Sequence, residues 1–239
     1  MTKKLINQNA KFVHKLINIV EPKFFYNNQP INRIKNIDEN QAKNNKNKKK
    51  CLKELENKIN TIDNCKLRTD SKNIVFGEGN IDSEIMLIGE SPGKKEEDLG
   101  LTFQGDVGNL LNKMLRAINI DRRKVYLTYS VNFRTPGDRK PTSQEIKRYS
   151  NFLKEHIDII NPKIVILLGS SAMEAATGIK GGISVERGKW KQIILKNRTL
   201  PFLITFSPSY LIRFPENKKY SWLDLKNVRQ KIEELSIKV

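Results

Sequence analysis

Cysteine and histidine are nearly missing from this chain. Cys51 and Cys65 are the only thiols in 239 residues, and His14 and His156 the only imidazoles. Two thiols cannot make a disulfide scaffold, and alone they cannot supply a four-thiolate metal site. No His, Cys and Asp cluster shows metal-ligand spacing, so no metal is expected. Long apolar runs are absent too. Nothing approaches the roughly 20 apolar residues that span a bilayer. The first twenty residues are basic and interrupted by Asn, Gln and Lys, which does not read as a secretory signal. These absences lead us to expect a reduced, cytoplasmic protein without a membrane anchor.

Negative charge is also scarce. Asp and Glu number 26 against 44 Lys and Arg, a net +18. Such an excess attracts polyanions, of which nucleic acid is the usual one. A genome that favours Lys, Asn and Ile codons would give the same bias without a ligand. Residues 1–60 hold 14 basic and 5 acidic side chains, 14 − 5 = +9, which is half of the excess. Within them, residues 36–50 have almost no apolar content and are expected to form a disordered linker. Residues 3–20 place Leu5, Ile6, Phe12, Val13, Leu16, Ile17 and Val20 at helical spacing, the pattern of an amphipathic helix. Residues 1–50 therefore read as a basic extension, and 51–239 as the domain.

From residue 51 onward the pattern alternates. CLKELENKINTI (51–62) reads as a helix, NIVFGEGN (73–80) and SEIMLIGE (83–90) as strands, and VGNLLNKMLRAINI (107–120) as an amphipathic helix. KVYLTYSV (124–131) is a strand. A helix follows over 142–160, with a capping-box start at Thr142 and Glu145. KIVILLG (163–169) is a buried strand, SSAMEAATG (170–178) a helix, LPFLITFSPS (200–209) a strand running into a loop, and 222–235 a closing helix. Strands alternating with helices predict an α/β fold, a three-layer α/β/α sandwich around a mostly parallel sheet. Ligands in such sheets sit beyond the carboxyl ends of the strands. Three loops emerge there: GESPG (89–93), YSVNFRTPGDR (129–139) and FSPSYLIR (206–213).

GESPG alone would be an ordinary strand-to-helix turn. Together with GLTFQGDVGNLLNKML (100–115), VYLTYSVNFRTPGDRKPTSQEI (125–146), PKIVILLGSSAMEAATG (162–178), ERG (186–188) and SPSYLIR (207–213), in that order, it resembles the uracil-DNA glycosylase superfamily, specifically its type-4 bacterial and archaeal branch. The resemblance covers residues 64–235. It implies flipping a uracil out of DNA and hydrolysing its N-glycosidic bond, in base-excision repair, by a monomer. It places Glu90 at the position that manages the attacking water and the developing sugar cation. Gly89, Ser91, Gly93 and Phe103 fall at the base-binding positions, with Phe103 stacking on the flipped ring. Ser209, Tyr210, Leu211 and Arg213 fall in the loop that contacts DNA.

The departures are as informative. The base-reading asparagine of the family is Tyr129 here, and a phenol cannot both donate and accept as an amide does. The histidine that stabilises the leaving anion is Ser207, which can donate a hydrogen bond but cannot carry positive charge. The branch's four-iron four-sulfur cluster needs four cysteines, and those positions are Ile62, Cys65, Phe133 and Tyr149. One thiolate cannot hold it, so no cofactor is expected. Two readings stay open: a glycosylase with Glu90 as its main catalytic group and Ser207 as a substitute donor, or a catalytically impaired descendant that serves as a DNA-binding or interaction module. His156, in no motif, reads as structural or solvent-facing.

Overall fold

A computed structural model of the chain describes residues 33–195 and 198–239, with side chains from residue 45. The helix expected over residues 3–20 lies outside them. The chain divides into two units, Met1–Ala42 and Lys43–Val239, and the second contains the sheet.

The first described helix, α1 (Arg33–Asn60), runs through the stretch expected to be a disordered linker. Composition misleads there because a helix needs only one packed segment to nucleate it. Leu52, Leu55 and Ile59 bury one face of α1 in the core. From Arg33 to Lys50 there is no Pro or Gly, so each added residue gains a backbone hydrogen bond at no new nucleation cost. Lys48 fastens the helix further, with its Nζ 3.1 Å from the Ile160 carbonyl and 3.0 Å from Asp82 Oδ1.

Six strands form one sheet in the order β1-β3-β2-β4-β6-β5. Strands β2 (Ile85–Gly89), β3 (Tyr126–Tyr129), β4 (Ile164–Leu168) and β6 (Thr199–Thr205) are parallel. The edge strands β1 (Gly77–Gly79) and β5 (Trp190–Ile194) are antiparallel. Alternation along the central strands builds the three layers. Met86, Ile88, Val165 and Leu167 face a core shared with α1, α5 (Ser143–Ile160) and α6 (Ser170–Thr177). Ile85, Leu87, Ile164 and Ile166 face a second core shared with α4 (Gly105–Ala117), α8 (Pro208–Arg213) and α9 (Lys218–Glu234). The remaining helices α2 (Lys66–Asp70), α3 (Lys94–Leu99) and α7 (Ile183–Glu186) are short. The expected capping box is present: Glu145 Oε2 accepts from the Thr142 N–H at 2.7 Å, and Thr142 Oγ1 from the Glu145 N–H at 3.3 Å.

His156 belongs to the first core. Its Nε2 lies 2.9 Å from Tyr126 Oη and its ring stacks on Phe76 at 4.4 Å, which decides for the structural reading. Burial holds its pKa down, at about 3, so it is a neutral packing element. Among the described residues, no helix is long and apolar enough to cross a membrane.

Candidate active site

The parallel strands end together on one side of the sheet, and the loops that leave them enclose a cleft of about 780 Å³. Glu90 follows β2 directly. Its backbone carbonyl accepts from Ser130 Oγ at 2.5 Å and from the Val131 N–H at 3.2 Å, which ties the loop after β2 to the loop after β3. Its carboxylate Oε1 accepts from the Ser171 N–H at 3.1 Å, with Ser170 Oγ at 3.5 Å. The glycine that ends β4 makes this placement feasible. Gly169 has φ of +105°, and a Cβ there would lie 2.4 Å from Glu90 Cδ.

Phe103 and Tyr129 pack as one unit on the cleft wall, their ring centroids 4.8 Å apart and tilted by 33°. The phenol does not stand free in the site: Tyr129 Oη accepts from the Phe103 N–H at 2.9 Å. Burial, reinforced by the charge of Glu96, pushes the Tyr129 phenol well above its ordinary range, so it stays protonated. Phe103 has φ of +46°, unusual for a residue with a side chain. Gly89 has no side chain because none fits, since a Cβ would sit 2.7 Å from both rings.

Three charged residues that sequence reasoning passed over hold this loop. Glu96, buried, accepts from the Gly93 N–H at 3.1 Å through Oε2 and from the Gln104 N–H at 2.8 Å through Oε1. Arg122 donates to the Thr102 carbonyl at 2.7 Å and pairs with Glu78, whose Oε2 accepts from the Thr102 N–H at 3.3 Å. The signal for Glu96 was its place three residues after Gly93, the capping-box spacing. Nothing in the local sequence marks Glu78 or Arg122.

The third wall is the loop after β6. Ser207 caps α8: its Oγ accepts from the Tyr210 N–H at 3.3 Å and lies 3.1 Å from Ser209 Oγ. Of the residues singled out in the sequence, Gly89, Glu90, Ser91, Gly93, Phe103, Tyr129, Ser207, Ser209, Tyr210 and Arg213 all line this one cleft. Leu211 does not. It is 1% exposed, packed in the second core, so in this conformation it cannot reach DNA. Each residue of a helix turns the side-chain direction by about 100° from the one before, which sends Leu211 inward and Ile212 outward, at 40% exposure. Behind the loop, Arg187 forms a two-pronged pair with the buried Asp224, through Nε at 3.0 Å and a terminal nitrogen at 2.6 Å. Its guanidinium lies over the Phe206 ring at 5.6 Å.

The positions that would hold an iron–sulfur cluster do not fit one. Ile62, Phe133 and Tyr149 offer no thiolate. Cys65 Sγ lies 3.1 Å from Tyr149 Oη inside the core, and the Tyr149 and Phe133 rings pack edge-on at 6.3 Å. Among the described residues, no group of three or more His, Cys, Asp and Glu is placed to hold a metal ion.

A fixed carboxylate, an aromatic wall and basic rims at the strand ends define a site for a flat, polar ring carried on a polyanion. The family model described as Uracil DNA glycosylase superfamily matches residues 76–227, and the chain belongs to that superfamily. The type-4 uracil-DNA glycosylase of Thermotoga maritima is 37% identical over 155 residues, 64% of this chain and 79% of that one. The type-4 uracil-DNA glycosylase of Sulfurisphaera tokodaii is 33% identical over 187 residues, 75% of this chain and 84% of that one. Likeness to the type-5 uracil-DNA glycosylase of Pyrobaculum aerophilum is lower, 28% over 118 residues, covering 43% and 52%. The chain therefore stands nearer these type-4 relatives than this type-5 one.

Proposed function

We propose that the protein is a DNA glycosylase of base-excision repair, which flips uracil or another damaged base out of DNA and hydrolyses its N-glycosidic bond. The observation that carries this reading is the Glu90 carboxylate, fixed by the Ser171 N–H in the same cleft as the Phe103 ring. The flipped base lies against Phe103, a contact worth about 1–3 kcal/mol. Water adds its oxygen to the sugar C1′ as the C1′–N1 bond breaks, and the bonding electrons leave with the base. Glu90 orients that water, takes its proton and offsets the positive charge that develops on the sugar.

The leaving base carries negative charge and needs a donor. Ser207 Oγ accepts from the Tyr210 N–H. If Ser209 donates to it as well, the Ser207 hydrogen is free to point into the cleft. The two accepted bonds polarise the hydroxyl and strengthen that donation. Serine remains weaker than a charged donor, and a lost oxyanion donor typically costs about a hundredfold to a thousandfold in rate. Ser209, Tyr210 and Arg213 contact the DNA, and the protein works without an iron–sulfur cluster.

One observation favours the rival reading, a DNA-binding module with little chemistry. The polar atoms of both substituted residues, Tyr129 Oη and Ser207 Oγ, accept from the protein's own backbone rather than standing free. Incubation with oligonucleotides containing uracil, hypoxanthine or xanthine, followed by alkali to cut abasic sites, separates the two. Strand breaks that vanish in Glu90→Gln support the glycosylase. DNA binding with no breaks on any base supports the module.

A further inference from the structure

Phe206, Tyr210 and Phe214 stand four residues apart across the turn of α8 and form an aromatic ladder. Successive ring centroids are 4.9 Å apart at both steps, with interplanar angles of 22° and 38°. The first two rungs line the cleft. The last leads away from it, 44% exposed, with Tyr210 against its ring and no second aromatic neighbour among the described residues. The foot of the ladder is held in place by the Arg187 guanidinium, itself fixed by Asp224. The surroundings are basic: residues 206–223 contain Arg213, Lys218 and Lys219 against the single acid Glu216.

We propose that this ladder is a base-stacking platform for the strand that flanks the target nucleotide, with Phe214 taking the face of a neighbouring unpaired base. An exposed ring, continuous with a nucleobase cleft and carried on a basic stretch of chain, matches the two needs of a single strand. The ring offers a π-face to any base, and the cations offset the phosphates. Duplex DNA fits less well, because each base there already stacks on both neighbours and must be unstacked before it can reach Phe214. The net positive charge also favours a polyanion over an apolar protein surface. The inference rests on the cleft being a nucleobase site, and it specifies the substrate class: single-stranded or locally unpaired DNA ahead of duplex.

The test uses the full chain and an oligonucleotide with a central 2′-fluorinated deoxyuridine, which resists cleavage, beside 2-aminopurine, whose fluorescence falls on stacking. The same strand is used alone and in a duplex. The wild type should bind the single strand more tightly and quench the 2-aminopurine. Phe214→Ala should abolish the quenching and weaken single-strand binding roughly tenfold, while duplex binding stays nearly unchanged. Phe214→Trp should keep both properties. Phe214→Leu, which retains apolar bulk without a ring, should behave as Phe214→Ala and guards against a folding defect. Tighter wild-type binding to duplex, equal losses on both substrates, or a Leu variant that behaves as wild type would overturn the proposal. Because no step requires cleavage, a protein that stacks but never cuts would sink the glycosylase reading alone. One that cuts but ignores Phe214 would sink the platform alone.

Discussion

Replacing Tyr129 by Phe removes one oxygen and leaves the ring pair in place, so its cost can be worked from a single contact. The Phe103 N–H now donates to Tyr129 Oη at 2.9 Å. The two residues are 3% and 4% exposed, so water cannot readily replace the lost acceptor. A buried donor stripped of its partner costs about 1–3 kcal/mol. Phe103 also sits at φ of +46°, a backbone state that costs on the order of 1 kcal/mol and persists only while its surroundings hold it. Urea unfolding, followed by the fluorescence of Trp190 and Trp222, should show a drop of about 1–3 kcal/mol with an unchanged slope. Affinity for a uracil-containing strand should fall as well, because the aromatic wall loosens. Tyr129→Asn, which restores the residue the family would place there, should do worse. It also deletes the ring packed on Phe103 and opens a void, a class of change that costs about 3–5 kcal/mol. If Tyr129→Phe leaves both the midpoint and the affinity untouched, the phenol is not a strut and this account of the substitution is wrong.

Gly169→Ala should disable the site through geometry alone. Its Cβ cannot coexist with Glu90 Cδ at 2.4 Å, so base excision should fall about as far as in Glu90→Gln, with a stability loss of about 1–3 kcal/mol from the disfavoured backbone state; an Ala variant at full rate would refute the placement of Glu90. The buried neutral His156 sets a pH dependence. Its pKa is about 3 in the fold against 6.5 ordinarily, so the unfolded chain gains a proton first and stability is lost as pH drops through that window. Between pH 6.5 and 5 the wild type should lose about 2 kcal/mol more than His156→Phe, measured by urea unfolding at both values; parallel pH profiles would count against it. Protein purified without oxygen should contain no stoichiometric iron and show no visible charge-transfer absorption, and finding either would contradict the packing around Cys65.

Much of the site is legible in the sequence, because the apolar runs at 85–88 and 164–168, alternating with helical segments, read as buried parallel strands whose exits carry the loops. Other parts are hidden for identifiable reasons. Residues 36–50 look too polar to order, yet they are helical because the packed turn at Leu52 and Leu55 nucleates them. The edge strand β5 mixes Trp, Lys, Gln and Ile too evenly to show a period, and it is defined only by its pairing with β6. Leu211 falls in the loop that the resemblance assigns to DNA contact, yet the turn of α8 rotates it into the core. Glu78 and Arg122 lie 44 residues apart and carry no local signal, because their partnership exists only after β1 pairs with β3.

The two hydrogen bonds of Glu96 make one side chain a non-covalent cross-link between Gly93 and Gln104. It closes a ring of backbone that carries the proline-glycine turn at one end and Phe103 at the other. A ring closed this way opens as a unit, because releasing either end strands half of a buried carboxylate. The turn that follows Glu90 and the aromatic wall are therefore not two adjustable parts. The amides of Gly93 and Gln104 share one opening event, and on the proposed function a base that presses on Phe103 would steady the loop presenting Glu90 without touching that carboxylate.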